Sequence, residues 1–393
     1  MVVATNGSSP LEQSNGTTIP LSNLSYNSFV NVDRGDPVGF TKFWENLREE
    51  AKVEIKGDEV MSYFGDANLC WYMLPQMRNA ILRLHKVVGN ANTEDKYIVL
   101  GNGSSQVYLA LLYALSTEKP SDIPINVVAA APHYSEYEGA TDILQSKLFQ
   151  WSGDASVYDK DEPYVEVVTS PNNPDGTLRT HVVKSDAEGK VVYDLAYYWP
   201  QYTPIIHEVN QDIMLFTFSK CTGHAGSRIG WALVKDIEIA KKMVKFLHLS
   251  SIGVSKESQV RAAKIVEVIC DGIQNSKSTP SDRLFFDYSK KLMKDRWEKL
   301  KTAVEQSKVF TLPKYPTAYC HFTKEITEQY PAFAWLKSVE GIEDGETYLE
   351  KLKILTRGGK RFGVDPAYVR ISMIGTDDEF TELVTRLANA KIE

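Results

Sequence analysis

The stretch from Asp212 to Val234, "DIMLFTFSKCTGHAGSRIGWALV", decides the reading of the fold. An apolar run from Ile213 ends in two hydroxyls, Thr217 and Ser219, and meets Lys220. A small-residue loop, Gly223-His224-Ala225-Gly226-Ser227, then leads through Arg228 into a second apolar run, Ile229 to Val234. Such short, continuous runs of branched and aromatic residues are the pattern of strands buried on both faces. Similar runs lie upstream: Tyr97 to Leu100, Ile125 to Ala131, Tyr164 to Thr169 and Lys190 to Asp194. Helical spacing separates or follows them, as in "SSQVYLALLYALS", where Ser104 stands at a natural N-cap position. Two long helical patterns occupy about 254–270 and 281–306. The alternation predicts an α/β protein with a largely parallel sheet.

The last ninety or so residues differ. Strand patterns at "AYCHF" and "YVRISM" are separated by helical stretches such as "TYLEKLKIL", and "DDEFTELVTRLANAKI" closes the chain as a helix. That is an α+β pattern. The expected organisation is a flexible tail over 1–25, a larger domain over 63–300, and a smaller domain built from 301–393 together with 26–62.

Composition excludes several classes. The net charge of -7 and the lack of a dense basic run argue against a nucleic-acid binder. No apolar run approaches the roughly 18 residues of a membrane span, and the first residues lack the basic and apolar regions of a secretory signal. The four cysteines, Cys70, Cys221, Cys270 and Cys320, show no CxxC spacing. Reduced structural thiols in a cytoplasmic setting are expected, with no metal site.

Five features carry chemistry, each weak alone. Lys220 is either a solvated charge or a desolvated amine able to form a Schiff base. "SPNNPDG", Ser170 to Gly176, is either a tight turn or a turn that aims Asn173 at a ligand above the strand ends. Asp194, followed by Tyr197, is either a helix cap or a carboxylate awaiting a protonated ring nitrogen. "GNGSSQ" places Ser104 and Ser105 at a helix start, where free N–H groups attract anions. Tyr134 either packs in the core or stacks on a flat ring. Together they ask for one ligand with a carbonyl, a basic ring nitrogen, a phenolic oxygen, a flat ring and a phosphate. Pyridoxal 5′-phosphate has all five. The hydroxyls and Arg228 would hold its phosphate and set its aldehyde over Lys220.

The chain also resembles a known family, the fold-type-I pyridoxal-phosphate enzymes. Within it the likeness is to the alliinase-like branch and its plant tryptophan aminotransferases of auxin biosynthesis. "NVDRGDP", "MSYFGDANLCWY", "SPNNPDG", "DLAYYWPQYTPI", "FTFSKCTGHAGSRIGWALVKD" and "SIGVSKESQVR" carry the resemblance, in the same order, over about 29–393. It implies a seven-stranded, mostly parallel sheet between helices plus the smaller domain. It also implies a homodimer acting on amino-acid and α-keto-acid substrates. Lys220 would be the Schiff-base lysine and Asp194 the partner of the ring nitrogen. Asn173 and Tyr197 would bind the ring oxygen. Ser104, Ser105, Thr217, Ser219 and Arg228 would receive the phosphate, joined by Tyr63 reaching into the neighbouring subunit's site. Arg370 would clamp the substrate carboxylate, and the Arg34–Pro37 turn, with Gly35 and Asp36, would lie over the substrate. The implied reaction moves the amino group of L-tryptophan to pyruvate and leaves indole-3-pyruvate. Rival readings are an aromatic aminotransferase of broader specificity and a C–S lyase.

Overall fold

The computed structural model describes residues 28–65, 68–116 and 123–392; the tail expected over 1–25 lies outside the described residues. After a two-residue strand, β1 (Val30–Asn31), seven strands build the main sheet. They are β2 (Tyr97–Asn102), β3 (Ile125–Ala129), β4 (Phe149–Asp154), β5 (Tyr164–Thr169), β6 (Gly189–Asp194), β7 (Ile213–Thr217) and β8 (Ile229–Val234). Their order across the sheet is β2-β8-β7-β6-β5-β3-β4. Pairing is parallel from β4 through β7, while β8 runs antiparallel to both β7 and β2. Every residue of β5, β7 and β8 is buried, which is why these segments read as unbroken apolar runs.

Helices surround the sheet in the order α1 (Thr41–Asn46), α2 (Pro75–Val88), α3 (Gly103–Ser116), α4 (Glu136–Asp142), α5 (Phe218–Thr222), α6 (Ile237–Ser251), α7 (Lys256–Gln274) and α8 (Phe285–Ser307). α2 packs on α7 and α3 on α6. The helix starts carry local instructions. Pro75 opens α2, and the side chains of Asp236 and Ser255 cap α6 and α7.

A second, antiparallel sheet follows, made of β9 (Phe310–Thr311), β12 (Phe333–Ser338), β14 (Arg357–Gly358) and β15 (Tyr368–Ser372) in the order β14-β15-β12-β9. β10 (Ala318–Cys320) and β11 (Glu325–Thr327) form a separate hairpin. After α9 (Gly345–Lys351), β13 (Ile354–Leu355) pairs in parallel with β1. The chain closes with α10 (Asp377–Ala388), opened by a reciprocal capping box between Thr376 and Glu379 and packed on α8. Ser372 N–H also donates to the Val32 carbonyl at 2.8 Å, and Gly39 N–H to the Ile374 carbonyl at 2.9 Å. These bonds carry the segment after β1 over the end of the main sheet.

Several local expectations shift. The run 213–219 is strand only to Thr217; its side chain then accepts from Ser219 N–H, so Lys220 rides on a helical turn. β2 extends to Asn102, and Gly103, at φ +77°, turns the chain directly into α3. Ser104 therefore lies in the first turn of α3 rather than at its cap. "TYLEKLKIL" is helical only to Lys351, because Ile354 and Leu355 are taken up by pairing with β1. The edge strand β4 and the central strand β12 fall outside the expected strands, although β12 overlaps the apolar run 332–336.

Candidate active site

The C-terminal ends of the parallel strands form the floor of a cavity of about 200 Å³. This is where open α/β sheets place their ligands. Register puts Thr169 of β5 directly beside Asp194 of β6, and Asp194 beside Leu215 of β7. Ser104, Ser105, Tyr134, Asn173, Asp194, Tyr197, Thr217, Ser219, Lys220 and Arg228 all line this one cavity. Residues spread over more than a hundred positions of sequence thus meet around it.

Asp194 accepts from the Tyr137 hydroxyl at 2.8 Å and from Ala196 N–H at 3.1 Å. Burial nevertheless dominates and pushes its carboxyl above the usual range. A cationic partner would reverse that shift. Tyr137 also meets the Thr169 hydroxyl at 2.6 Å. Neither Tyr137 nor Thr169 was singled out in the sequence; Tyr137, three residues after Tyr134 at the start of α4, held the one available clue. The rings of Tyr134 and Tyr137 meet edge to face at 5.3 Å.

Lys220 is displaced downward to about 8, first by burial and then by the positive charges of Arg370 and Arg228, with Asp36 opposing. Its amine donates to the Gly35 carbonyl and lies 5.9 Å from the centre of the Tyr197 ring. Gly35 is tightly enclosed. A Cβ there would stand 3.3 Å from the Lys220 nitrogen and 3.1 Å from the Phe333 ring. The other buried lysine, Lys256, is not among the cavity residues, and its amine donates to the Tyr72 carbonyl at 2.6 Å.

At the opposite end, the first turn of α3 faces Arg228. A Cβ on Gly230 of β8 would run into the backbone of Gly103 and Ser104, so β8 and α3 meet there without room for a side chain. Ser105 and Arg228 are exposed at this end. Tyr63, at 66% exposure, lies outside the cavity of its own chain.

Arg370 is 2% exposed, packed 4.0 Å over the Phe333 ring. It donates to the Asn173 side-chain oxygen at 3.0 Å and to the Asp33 carbonyl at 2.5 Å, while its Nε has no hydrogen-bond partner among the described residues. Burial, then neighbouring Arg357, lowers it to about 10. A buried guanidinium with an unused donor fits a carboxylate.

The family model described as allinase matches residues 30–391. The chain belongs to the alliinase family. Its members use pyridoxal 5′-phosphate, and the residues present fit that group: an amine, an acid, a phosphate-ready helix start and an arginine ring one cavity. Among relatives of this alliinase-family chain, tryptophan aminotransferase-related protein 2 of Arabidopsis thaliana is 49% identical, over 92% of this chain and 81% of its own length. Alliin lyase of Allium cepa var. aggregatum is 36% identical, over 90% of this chain and 80% of its own. The solved aromatic aminotransferase from Pyrococcus horikoshii OT3 shares the fold at a TM-score of 0.64 and 18% identity, covering 94% of this chain and 96% of that one. Among the described residues, no helix is long and apolar enough to cross a membrane.

Proposed function

We propose that the protein is an aminotransferase that passes the amino group of L-tryptophan to an α-keto acid such as pyruvate, leaving indole-3-pyruvate, the opening reaction of a route to auxin. The observation that carries this reading is the convergence of Lys220, Asp194 and Asn173 on one cavity, with Arg370 hydrogen-bonded to Asn173 behind its wall, in a chain 49% identical to a tryptophan aminotransferase-related protein.

Bound in this cavity, pyridoxal 5′-phosphate would supply an electron-withdrawing ring that stabilises negative charge at the substrate Cα. The first turn of α3, with Ser104 and Ser105, would hold the phosphate together with Thr217, Ser219 and Arg228. Asp194 would keep the ring nitrogen protonated, steadied by the Tyr137 hydroxyl. Asn173 and Tyr197 would donate to the ring oxygen, and Tyr134 would stack on the ring face. Lys220 is suited to a double role. With its amine near 8, roughly one molecule in ten carries it neutral at pH 7, ready to bond the cofactor carbonyl. When not bonded to the cofactor, Lys220 Nζ would be the base that takes the substrate Cα proton. Arg370 would receive the substrate carboxylate through its unused Nε–H, and the Arg34–Pro37 turn would close above it.

We further propose a homodimer in which Tyr63 serves the partner's site. The exposed phosphate end of the cavity and the exposed Tyr63 on the same chain support this arrangement. Mixing Tyr63→Phe with Lys220→Ala subunits should restore part of the activity lost in each, since one site of each heterodimer then carries neither change.

A substrate panel with product identification tests the function. Keto acid from tryptophan, with alanine formed from pyruvate, supports it. Ammonia and pyruvate released from a cysteine sulfoxide, with no keto acid from tryptophan, would establish the lyase activity of the alliin lyase relatives instead.

A further inference from the structure

Arg357 of β14 stands directly opposite Arg370 of β15. Two guanidinium groups on neighbouring strands repel, and Asp33 lies between them. Arg357 Nε donates to one Asp33 carboxylate oxygen at 2.6 Å, and a second guanidinium nitrogen approaches the other at 3.4 Å. Arg370 stands 3.7 Å from the same carboxylate and donates to the Asp33 carbonyl. The remaining arm of Arg357 donates to the Ser135 hydroxyl at 2.7 Å and to Glu136 at 2.6 Å, at the start of α4 and next to Tyr134. One side chain therefore ties together the strap after β1, the start of α4 and the edge of the second sheet. Two residues beyond Asp33, the Gly35 carbonyl accepts from Lys220. The strap is pinned at both points.

This is more than an exposed ion pair of the kind that contributes little. The Arg357 and Asp33 side chains are only 17% and 26% exposed, and the fork engages both carboxylate oxygens. A lysine could not hold Asp33 and reach Glu136 together, because its ammonium is a point charge.

We propose that Arg357 is a positioning residue for the substrate carboxylate: by holding Asp33 in its fork it sets the Asp33 carbonyl against Arg370 and the Gly35 carbonyl over Lys220. The proposal rests on the reading of Arg370 as the carboxylate clamp. Arg357 itself does not touch substrate. It aims the guanidinium that does, and it keeps the strap at the height that admits a carboxylate.

The test is a titration of the holoenzyme with indole-3-propionate, a carboxylate lacking the amine, in wild type, R357Q, R357K and D33N. R357Q and D33N should each weaken binding about tenfold, the scale of one charge-assisted hydrogen bond. R357K should fall between R357Q and wild type. With tryptophan as substrate, KM should rise by the same factor while kcat stays within about twofold. Amide exchange over 32–38, followed in the cofactor-free protein, should quicken in R357Q and D33N. Wild-type affinity and exchange in R357Q would overturn the proposal. Tighter binding in D33N would also overturn it, by making Arg357 a carboxylate ligand that Asp33 blocks. Full recovery in R357K would remove the fork argument. If R357Q does not fold, D33N probes the same link from its other end. If the wild type transaminates no amino acid, the proposed function falls, while the indole-3-propionate and exchange measurements still judge Arg357.

Discussion

Asp194 and Lys220 stand on the floor of the cavity, at the ends of adjacent strands of the main sheet; Gly35 and Arg370 face them from opposite ends of the chain. The floor is set by backbone register. Thr169, Asp194 and Leu215 lie side by side because β5, β6 and β7 pair in parallel, and all of β5 and β7 is buried. The cover adds side-chain ties, the Asp33–Arg357 fork, the Arg370–Asn173 hydrogen bond and the contact of Gly35 with Lys220, to the few backbone bonds that hold Val32 and Gly39 to the second sheet. Moving the floor requires breaking the main sheet, whereas moving the strap of the cover requires breaking only these ties and those few backbone bonds. Reacting groups therefore belong on the floor, and groups that admit and orient substrate belong on the cover.

The sharpest way to break this division is to delete the floor lysine. Lys220→Ala should fold normally yet lose roughly four orders of magnitude in kcat, since both nucleophile and base go. Borohydride should link the cofactor to Lys220 in wild type, and Lys256→Ala should keep that label. A label on Lys256 would sink the assignment.

Next comes the cover. Arg370→Ala should lower kcat/KM for tryptophan by about two to three orders of magnitude, while tryptamine, which lacks the carboxylate, is barely affected. Equal losses on both would make Arg370 a support of the fold. The same variant tests the coupling of cover to floor through pH. On the proposed reading Lys220 bonds the cofactor only as the neutral amine. Reconstitution of the cofactor-free protein should therefore quicken about tenfold per pH unit and level off above about 8. Arg370 holds that value down, so Arg370→Ala should move the plateau to higher pH.

Gly35→Ala places a methyl group against Phe333 and Lys220. It should raise KM for tryptophan roughly tenfold, the scale of a modest overpacking penalty, with unchanged cofactor absorbance. The smallest effect is expected within the floor itself. Tyr137→Phe removes one donor to Asp194 and should cost about fivefold in kcat/KM. Tyr137 holds the Asp194 carboxyl down against burial, so its loss should raise that group further. The acid limb of the pH–rate profile should then move to higher pH; an unmoved limb would separate Tyr137 from Asp194.

How far each part could be read in advance follows the same line. β5 and β8 were legible because a strand buried on both faces leaves a local mark, and the glycine turn into α3 was legible to within a residue or two, the helix starting at Gly103 rather than after a Ser104 cap. The positions of Lys220 and Asp194 at strand ends were legible because each ends or follows an apolar run. Tyr137 was not, since an aromatic residue at the start of a helix looks like any core residue until register brings Thr169 and Asp194 beneath it. Arg357 was not, since one arginine in "LTRGGK" carries no pattern.

The sequence by itself determined the alternation of strands and helices, the chemistry of each strand end and, through its motifs, the family. Hydrophobic periodicity and turn residues act over a few positions and are written where they act. Only the tertiary structure decided what stands over Lys220. The pairing of β1 with β13 and the seat of Asp33 between Arg357 and Arg370 join segments hundreds of residues apart. No local preference encodes such contacts; they exist because folding brings distant backbone edges together and half-buries charges that must then be paired.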